Sequence, residues 1–401
     1  MIKKYKIEDI CKIQSSKRIY LSEYKTSGIP FYRGKEVNEL SSGNEISNEL
    51  FISKDRYEEI KNKYGVPKKG DILITAVGTI GNCWIVDDRK FYFKDGNIIW
   101  ISSINKDILN KYIYYLLKSS DMQEKLKKIS IGTSQQALTI IEIKKLDINI
   151  PELSEQKKIC NILSAIDKKI TLNNQINNNL LEACINLFDN NILKNQNIKY
   201  VKIKDLNLDV SDGNYSSKYP TKEEFVKNGV PFIRGTDFIG TTIARNGLYY
   251  ITLEKHKQLK KGHLKKGDIL ITTRGNGIGK IAFVPDIYVD ANINAQLIRI
   301  NGNNNIPNSY LRIAFINKKV LQEIKAGITG SAQPQLTVSK FLDIKIPILP
   351  KDEMAKFNEV CDPLLKKVEM NNNENFALEK IRDTLLPKLM NGEIDLDKIE
   401  I

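Results

Sequence analysis

Gly132-Thr133-Ser134-Gln135-Gln136-Ala137-Leu138-Thr139, continued by Leu146-Asp147-Ile148-Asn149-Ile150-Pro151 and a long helical pattern, returns as a near copy later in the chain. The second copy reads Gly330-Ser331-Ala332-Gln333-Pro334-Gln335-Leu336-Thr337, then Leu342-Asp343-Ile344-Lys345-Ile346-Pro347, and it too enters a helical pattern. The chain is therefore built of two similar halves. Inside the helices, stepping alternately by three and four gives one seam of Leu163, Ile166, Ile170, Asn173, Asn177, Leu180, Cys184 and Leu187. The other reads Cys361, Leu364, Val368, Asn371, Asn375, Leu378, Arg382 and Leu385. Apolar blocks flanking asparagines at the same two steps fit a two-helix coiled coil, in which buried amides set register at some cost in stability, and the helices must run antiparallel if the two halves are to sit at its opposite ends. Two unrelated amphipathic surface helices would not explain the matched asparagines.

Working outward, the landmarks before each copy also repeat. Gly28-Ile29-Pro30-Phe31-Tyr32-Arg33-Gly34 corresponds to Gly229-Val230-Pro231-Phe232-Ile233-Arg234-Gly235, and Gly70-Asp71-Ile72-Leu73-Ile74-Thr75 to Gly267-Asp268-Ile269-Leu270-Ile271-Thr272. Short apolar runs bounded by turn residues predict strands, and the periodicity of residues 107–128 and 307–324 predicts one helix in each half. Pro151 and Pro350 mark helix starts, since proline suits a first turn and not an interior. The second helix is expected to stop at Asn391-Gly392, where glycine can take the left-handed conformation. This gives an α/β (α+β) chain with a pseudo-two-fold repeat. Its segments are a globular domain at 1–153, a helix at 154–194, a second globular domain at 195–350, and a helix with a C-terminal tail at 351–401.

The 401 residues carry 62 Lys and Arg against 48 Asp and Glu, a formal charge of +14, which points to a polyanionic partner, nucleic acid ahead of membrane. Five separated cysteines suggest neither a disulfide framework nor a zinc site, and two histidines, His256 and His263, are too few for a histidine-rich metal centre. With no apolar run near the roughly 20 residues of a membrane span and no signal-peptide core, a cytoplasmic protein is expected. Catalytic motifs are wanting. Glu142-x-Lys144 and Glu323-x-Lys325 echo nuclease spacing, but such triplets arise readily in a lysine-rich chain.

Glycine-rich loops follow each repeated strand, residues 76–82 in the first half and Thr273-Arg274-Gly275-Asn276-Gly277-Ile278-Gly279-Lys280 in the second. They lack the endings of nucleotide-binding loops, yet duplicated glycines beside polar and basic residues suit close approach to phosphates and base edges. The repeated glutamines, Gln135 and Gln136 against Gln333 and Gln335, are a second polar set, since glutamine can pair with adenine or hold a backbone in place.

On these residues, and on Ile150-Pro151-x-Leu153-x-Glu155-Gln156 and Leu385-Leu386-Pro387-Lys388-Leu389-Met390-x-Gly392, the chain resembles the specificity subunits of type I restriction-modification systems over its whole length. Asp352-Glu353-Met354 departs from the Glu-Gln pair of that pattern. The resemblance implies a non-catalytic reader of double-stranded DNA with two target-recognition domains, one for each half of a bipartite site. The helices would space the domains and dock partners: two modification subunits carrying S-adenosylmethionine, and restriction subunits using ATP and Mg. No cofactor and no metal would belong to this chain. The candidate DNA-binding residues are Arg33, Lys35, Thr75, Thr79, Asn82, Gln135 and Gln136 in the first half. In the second half they are Arg234, Thr236, Thr273, Arg274, Asn276, Lys280, Gln333 and Gln335. A helix of roughly 35 residues is about 50 Å long, near 15 base pairs of B-DNA. The rival reading is a coiled-coil adaptor that binds nucleic acid without sequence preference.

Overall fold

The computed structural model describes residues 3–43, 46, 49–131, 136–195, 198–215, 218–275, 277–330 and 334–396. Its contacts divide the chain into two units, Met1–Thr171 with Ala377–Ile401, and Leu172–Phe376. Both units mix helix and sheet.

In the first unit a four-stranded antiparallel sheet runs in the order Lys12–Gln14, Ile98–Ser102, Ile72–Thr75, Cys83–Ile85. The register sets Ile72 opposite Ile101, Leu73 opposite Trp100 and Ile74 opposite Ile99. Alternation along these strands sends Ile72, Ile74, Ile99 and Ile101 to one face, against Tyr112, Ile113 and Leu117, and sends Leu73, Trp84, Ile98 and Trp100 to the other, against Tyr32, Phe91 and Phe93. Both faces are covered, which is why Ile72-Leu73-Ile74 reads as a continuous apolar run. A three-stranded sheet, Leu50–Ile52, Ile29–Tyr32, Tyr92–Phe93, lies beside it in sequence order, and Lys3–Lys6 pairs with Asp147–Ile150.

The second unit repeats the plan. Its main sheet has the order Asp209–Asp212, Leu297–Asn301, Ile269–Thr272, Ile281–Phe283, with Ile269 opposite Ile300 and Leu270 opposite Arg299. Ile269, Ile271, Ile298 and Ile300 pack with Tyr310, Leu311 and Phe315. Lys199–Lys202 pairs with Lys345–Ile348 as the first unit's terminal strands do.

Each helix expected after the sheet is in fact two. Asn110–Lys118 and Ser120–Lys128 meet at Ser119, and Asn308–Ile316 and Lys318–Ala326 meet at Asn317. Both junction residues have extended backbone and turn their side chains onto the next helix, Ser119 Oγ accepting from Met122 N at 3.4 Å and Asn317 Oδ1 from Lys319 N at 3.0 Å. A cap in mid-pattern outweighs the unbroken apolar periodicity.

The long helices span Leu153–Lys194 and Lys351–Met390. The second ends as expected: Gly392 has φ +70°, Glu393 N donates to Lys388 O at 2.9 Å and Gly392 N to Leu389 O at 3.4 Å. Pro363 and Pro387 lie inside it, contrary to the expectation that proline marks only starts. Of the seam residues, Leu163, Asn173, Asn177, Val368, Asn371 and Asn375 are buried, while Ile166, Ile170, Leu180, Leu364, Leu378 and Leu385 are half-buried. Phe188, Leu365 and Leu386 are buried in place of their neighbours at 187, 364 and 385. A pattern read at 3.5 residues per turn lags a helix of 3.6, so the buried stripe moves one residue later towards each C-terminal end, at 188 and 386; Leu365, near the start of its helix, is instead packed into the core of the second unit.

Within the second unit the helices run antiparallel and meet through asparagines. Asn173 Nδ2 donates to Asn375 Oδ1 at 2.9 Å, and Asn371 Nδ2 to Asn177 Oδ1 at 2.8 Å. Asn375 Nδ2 donates to Asn174 Oδ1 at 2.7 Å, and Asn177 Nδ2 to Asn372 Oδ1 at 2.9 Å. Each bond maps onto another when residues 173, 174 and 177 exchange with 371, 372 and 375, so the network obeys the repeat. Every buried amide thereby finds a partner, the condition for a polar seam to specify register rather than only weaken it.

Candidate nucleic-acid interface

Two motifs far apart in sequence become neighbours in each unit. At the end of Ile72–Thr75 the chain leaves the sheet: Ala76 N donates to Asn97 O at 2.8 Å, Leu138 N donates to Ala76 O at 2.8 Å, and Val77 forms a β-bridge with Ala137. In the second unit Thr273 N donates to Gln296 O and Leu336 N to Thr273 O, each at 2.9 Å, and Arg274 bridges Gln335. A glycine-rich loop and the end of the duplicated glutamine segment are thus stitched together by the main chain.

The loops keep their shape through a threonine. Thr75 Oγ1 donates to Thr79 O and accepts from Asn82 N at 3.1 Å; Thr272 Oγ1 donates to Gly277 O and accepts from Lys280 N at 2.9 Å. Thr75 is fully buried and Thr273 nearly so. Both are corrected from DNA contacts to parts of the scaffold, because neither side chain reaches solvent. Gly78 and Gly275 have φ +78° and +83° at exposed positions, with open space where a side chain would be. Only glycine takes that conformation cheaply, and the bare backbone can be approached closely.

Thr79, Gln136, Arg274 and Lys280 are exposed on these loops, and Gln335 is half-buried. The Arg274 guanidinium lies 6.0 Å from the centre of the Tyr215 ring. Asn82 is half-buried, its Nδ2 donating to Asn38 Oδ1 at 2.9 Å. Gln335 corresponds by its bridges to Ala137 and not to Gln136, so this pair of glutamines is not equivalent. Gln135, Asn276 and Gln333 lie outside the described residues.

The remaining candidates are held differently. Arg33 is gripped by the buried Glu36, Nη2 to Oε1 at 2.6 Å and Nε to Oε2 at 3.2 Å, while the Arg33 main-chain N–H donates to the same carboxylate at 2.7 Å. Arg234 repeats this with Asp237 at 2.6, 3.2 and 2.8 Å, and its guanidinium stacks 3.7 Å from the Tyr249 ring centre. The carboxylate raises the pKa of each arginine, so both stay cationic, with one edge of the fork already used inside the domain. Repetition of the Arg-Gly signal did not separate a fold device from a contact residue. Lys35 is exposed and paired with Glu39 at 3.8 Å, and Thr236 is exposed.

His256 and His263, set aside in the sequence as too few for a metal centre, stand together with Asp290, their ligand atoms all within 4.8 Å of one another. Six residues of chain separate the two, a spacing with no familiar metal signature. Glu142 of the nuclease-like triplet pairs with Lys145 at 2.9 Å on the surface.

The fold and this site define a duplicated scaffold that carries variable side chains on a repeated loop. The chain belongs to the family of type I restriction modification DNA specificity domains, which matches residues 2–182 and again residues 186–380. It is 25% identical to the type I restriction enzyme MjaIX specificity subunit of Methanocaldococcus jannaschii, over 98% of this chain and 94% of that protein. A putative type I restriction enzyme specificity subunit of Haemophilus influenzae is 40% identical over 45% of this chain and 43% of its own length. The crystal structure of the type I restriction-modification S subunit from M. genitalium shares the fold, with a TM-score of 0.52 and 19% identity over 97% of this chain and 96% of that one. Among the described residues no helix is long and apolar enough to cross a membrane.

Proposed function

We propose that this chain is the DNA-reading subunit of a type I restriction-modification complex, working in the cytoplasm without a reaction of its own. Each globular domain takes one half of a bipartite duplex target. The observation that carries the reading is the doubled junction of glycine loop and glutamine segment, with exposed donors at its tip in each unit. A net charge of +14 favours the approach of any duplex, and discrimination is left to the side chains that differ between the loops. Arg274 offers a fork matched to a guanine edge, Lys280 and the open backbone at Gly275 suit phosphates, and Thr79 and Gln136 supply neutral donors in the first domain. The specificity role of the family supports a non-catalytic chain. Methylation and cleavage then fall to two modification subunits with S-adenosylmethionine and to restriction subunits with ATP and Mg.

Two measurements test this. Methylation mapping of host DNA with and without the gene should reveal one bipartite motif that depends on it. At one stated salt concentration the protein, with its modification subunits, should bind a duplex holding that motif at least about a thousandfold more tightly than random duplex. Equal affinity for both would make the chain a non-specific adaptor.

A further inference from the structure

The chain's two histidines meet in the second globular domain. His256 lies in the short helix Leu253–Gln258 and is 8% exposed; His263 follows a turn at Gly262, and the ring centroids are 4.7 Å apart. Asp290 faces both, its Oδ2 3.4 Å from His256 Nε2 and its Oδ1 3.4 Å from His263 Nδ1.

The other ring nitrogens settle the chemistry of these. His256 Nδ1 is 2.6 Å from Asn292 Oδ1, and His263 Nε2 is 2.6 Å from the main-chain oxygen of Leu259. A main-chain carbonyl only accepts, so His263 Nε2 carries a proton and Nδ1 of the neutral ring is a lone pair; with Asn292 presenting Oδ1, which leaves its Nδ2 without a partner, His256 Nε2 is a lone pair too. Both are directed at a carboxylate. Three electron-pair donors converge, an arrangement that repels itself until a proton or a metal ion sits among them. Histidines that bind metals have this environment, the far N–H fixed on a carbonyl or carboxylate so that tautomer and ring orientation are preset. Ligand atoms about 2.0–2.1 Å from a tetrahedral ion lie about 3.4 Å from each other; each histidine stands at that distance from one Asp290 oxygen, and closing the set, whose atoms lie within 4.8 Å, around one ion needs a small side-chain adjustment.

The backbone holds the three in place. Asp290 has φ +68°, a conformation that costs a non-glycine residue energy, and its N–H donates to Leu264 O at 2.7 Å while Leu264 N donates to Ala291 O at 2.8 Å. The first domain has different chemistry at the same points of its chain order. Its helix Lys54–Tyr64 carries no histidine, Val66 follows Gly65 as His263 follows Gly262, and Lys90 stands two residues before the strand Tyr92–Phe93 as Asp290 does before Asn292–Ile293.

We propose that His256, His263 and Asp290 form a site for one divalent transition-metal ion of zinc's class, found in the second domain alone. Two imidazole nitrogens and a carboxylate, with no thiolate, suit Zn²⁺, Co²⁺ or Ni²⁺ and leave a fourth position for water. The side chain of Asp290 is 73% exposed and that of His263 31%, so the site opens to solvent. The ion ties the segment at 256–263 to the one at 290.

The test uses the full chain, stripped with a chelator and titrated calorimetrically with Zn²⁺, with Co²⁺ absorption as a second probe. The expected result is one ion per chain, a rise in melting temperature, and Co²⁺ bands without the thiolate charge transfer that cysteine ligands would give. His263→Gln and Asp290→Asn, both at solvent-exposed side chains and each checked for folding by circular dichroism, should each weaken binding by at least about tenfold. Lys90→Ala, at the exposed position of the first domain that matches Asp290, should leave it unchanged. The proposal is overturned if the wild-type chain takes up none of the three ions, or if both folded variants bind as the wild type does.

Discussion

One position of the main sheet is filled in opposite ways in the two globular domains. In the first, Trp100 opposite Leu73 donates from Nε1 to the buried Asp71 Oδ2 at 2.8 Å. In the second, the corresponding residue opposite Leu270 is Arg299, which reaches Asp268 at 3.3 Å and both oxygens of Asp209 at 3.0–3.1 Å. The repeated Gly-Asp turn puts a carboxylate under each sheet, and burial pushes both Asp71 and Asp268 above the ordinary carboxylate range. One domain answers that charge with a neutral donor inside an aromatic cluster, the other with an ion and a second acid. The repeat thus preserves main-chain turns and sheet register, while the side chains that satisfy them are free to differ.

The largest expected effect comes from breaking the ionic answer. Arg299→Ala leaves Asp268, wholly buried, without its counter-ion, and should cost about 3–5 kcal/mol. Trp100→Phe removes one hydrogen bond and should cost about 1–3 kcal/mol. Calorimetric or urea unfolding of each variant measures the difference, and equal losses would show that the two arrangements are energetically interchangeable. Acid gives a further distinction. Burial works against ionisation of Asp209, but Lys265 and Arg299 outweigh it and hold its pKa down, so its contribution is present above the ordinary carboxylate range and lost as pH falls through the folded value. Asp268, with a raised pKa, has the opposite sign: protonation relieves its cost as pH falls. Without Arg299 that relief grows, and the deficit of Arg299→Ala should shrink between about pH 7 and about pH 4.

The starts of the long helices make the next comparison. Gln156 is buried and satisfies three backbone groups: Nε2 donates to Pro151 O at 2.9 Å and Asp107 O at 3.2 Å, and Oε1 accepts from Leu109 N at 2.8 Å. Its counterpart is Met354, buried in the second unit among Tyr310, Phe357 and Leu349. The departure from the Glu-Gln pattern is therefore an exchange of a polar clasp for apolar packing. Gln156→Met should cost about 2–3 kcal/mol by stranding those groups. Met354→Gln should also destabilise, by about 1–3 kcal/mol, by burying an amide. Indifference to either change, read from unfolding midpoints, would mean that the surroundings adapt freely.

Much of this was legible in the sequence because it is periodic or repeated. The two-domain plan, both long helices, the asparagine seam, the glycine loops and the glutamine segments all leave residues at matched positions, but the meeting of loop and glutamine segment does not. Side-chain reach across the chain leaves no such trace. Thr75 and Thr273 have loop-like neighbours, yet the Thr75 hydroxyl bonds back into its loop, the Thr273 main chain is tied to Gln296 and Leu336, and both residues are buried. The helix break at Ser119 depends on one side-chain hydrogen bond, and the meeting of His256 with Asp290 depends on a turn 34 residues away in sequence. For Arg33 and Arg234 the sequence shows a repeated arginine beside a glycine, but not that the acid three residues on already holds one edge of each fork.

At the loops the comparison bears on reading DNA. Val77 in the first domain corresponds to Arg274 in the second, and no residue from 76 to 82 is charged. Arg274→Ala should cost about 1–3 kcal/mol of specific binding and relax one position of the half-site read by the second domain. Lys280→Ala should weaken all duplexes alike and lower the salt slope by about one. Binding curves at several salt concentrations, together with methylation mapping, separate these outcomes. A relaxed position in the other half-site instead would reverse the assignment of loops to half-sites.

The smallest net effect should come from making one seam resemble the other. In the first unit Arg382 Nη1 meets Asp167 Oδ1 at 3.0 Å, and Tyr115 donates to Asp167 Oδ2 at 2.8 Å, burial together with that carboxylate keeping the phenol protonated. The residues at the corresponding places of the repeat are Cys184, Leu365 and Ile313, an apolar set buried in the second unit. Arg382 and Asp167 are 20% and 28% exposed, so the cost of removing one partner lies below that of a fully buried pair. Arg382→Cys or Asp167→Leu alone should cost about 1–2 kcal/mol. Changing both still strands the Tyr115 hydroxyl, and Tyr115→Phe is needed to complete the exchange. The triple variant should return to within about 1 kcal/mol of the original, because a well-packed apolar set commonly replaces an ion pair at little cost. Costs that simply add across the three changes would show that the polar group contributes to stability in its own right, and that the two seams are not alternative solutions to one packing problem.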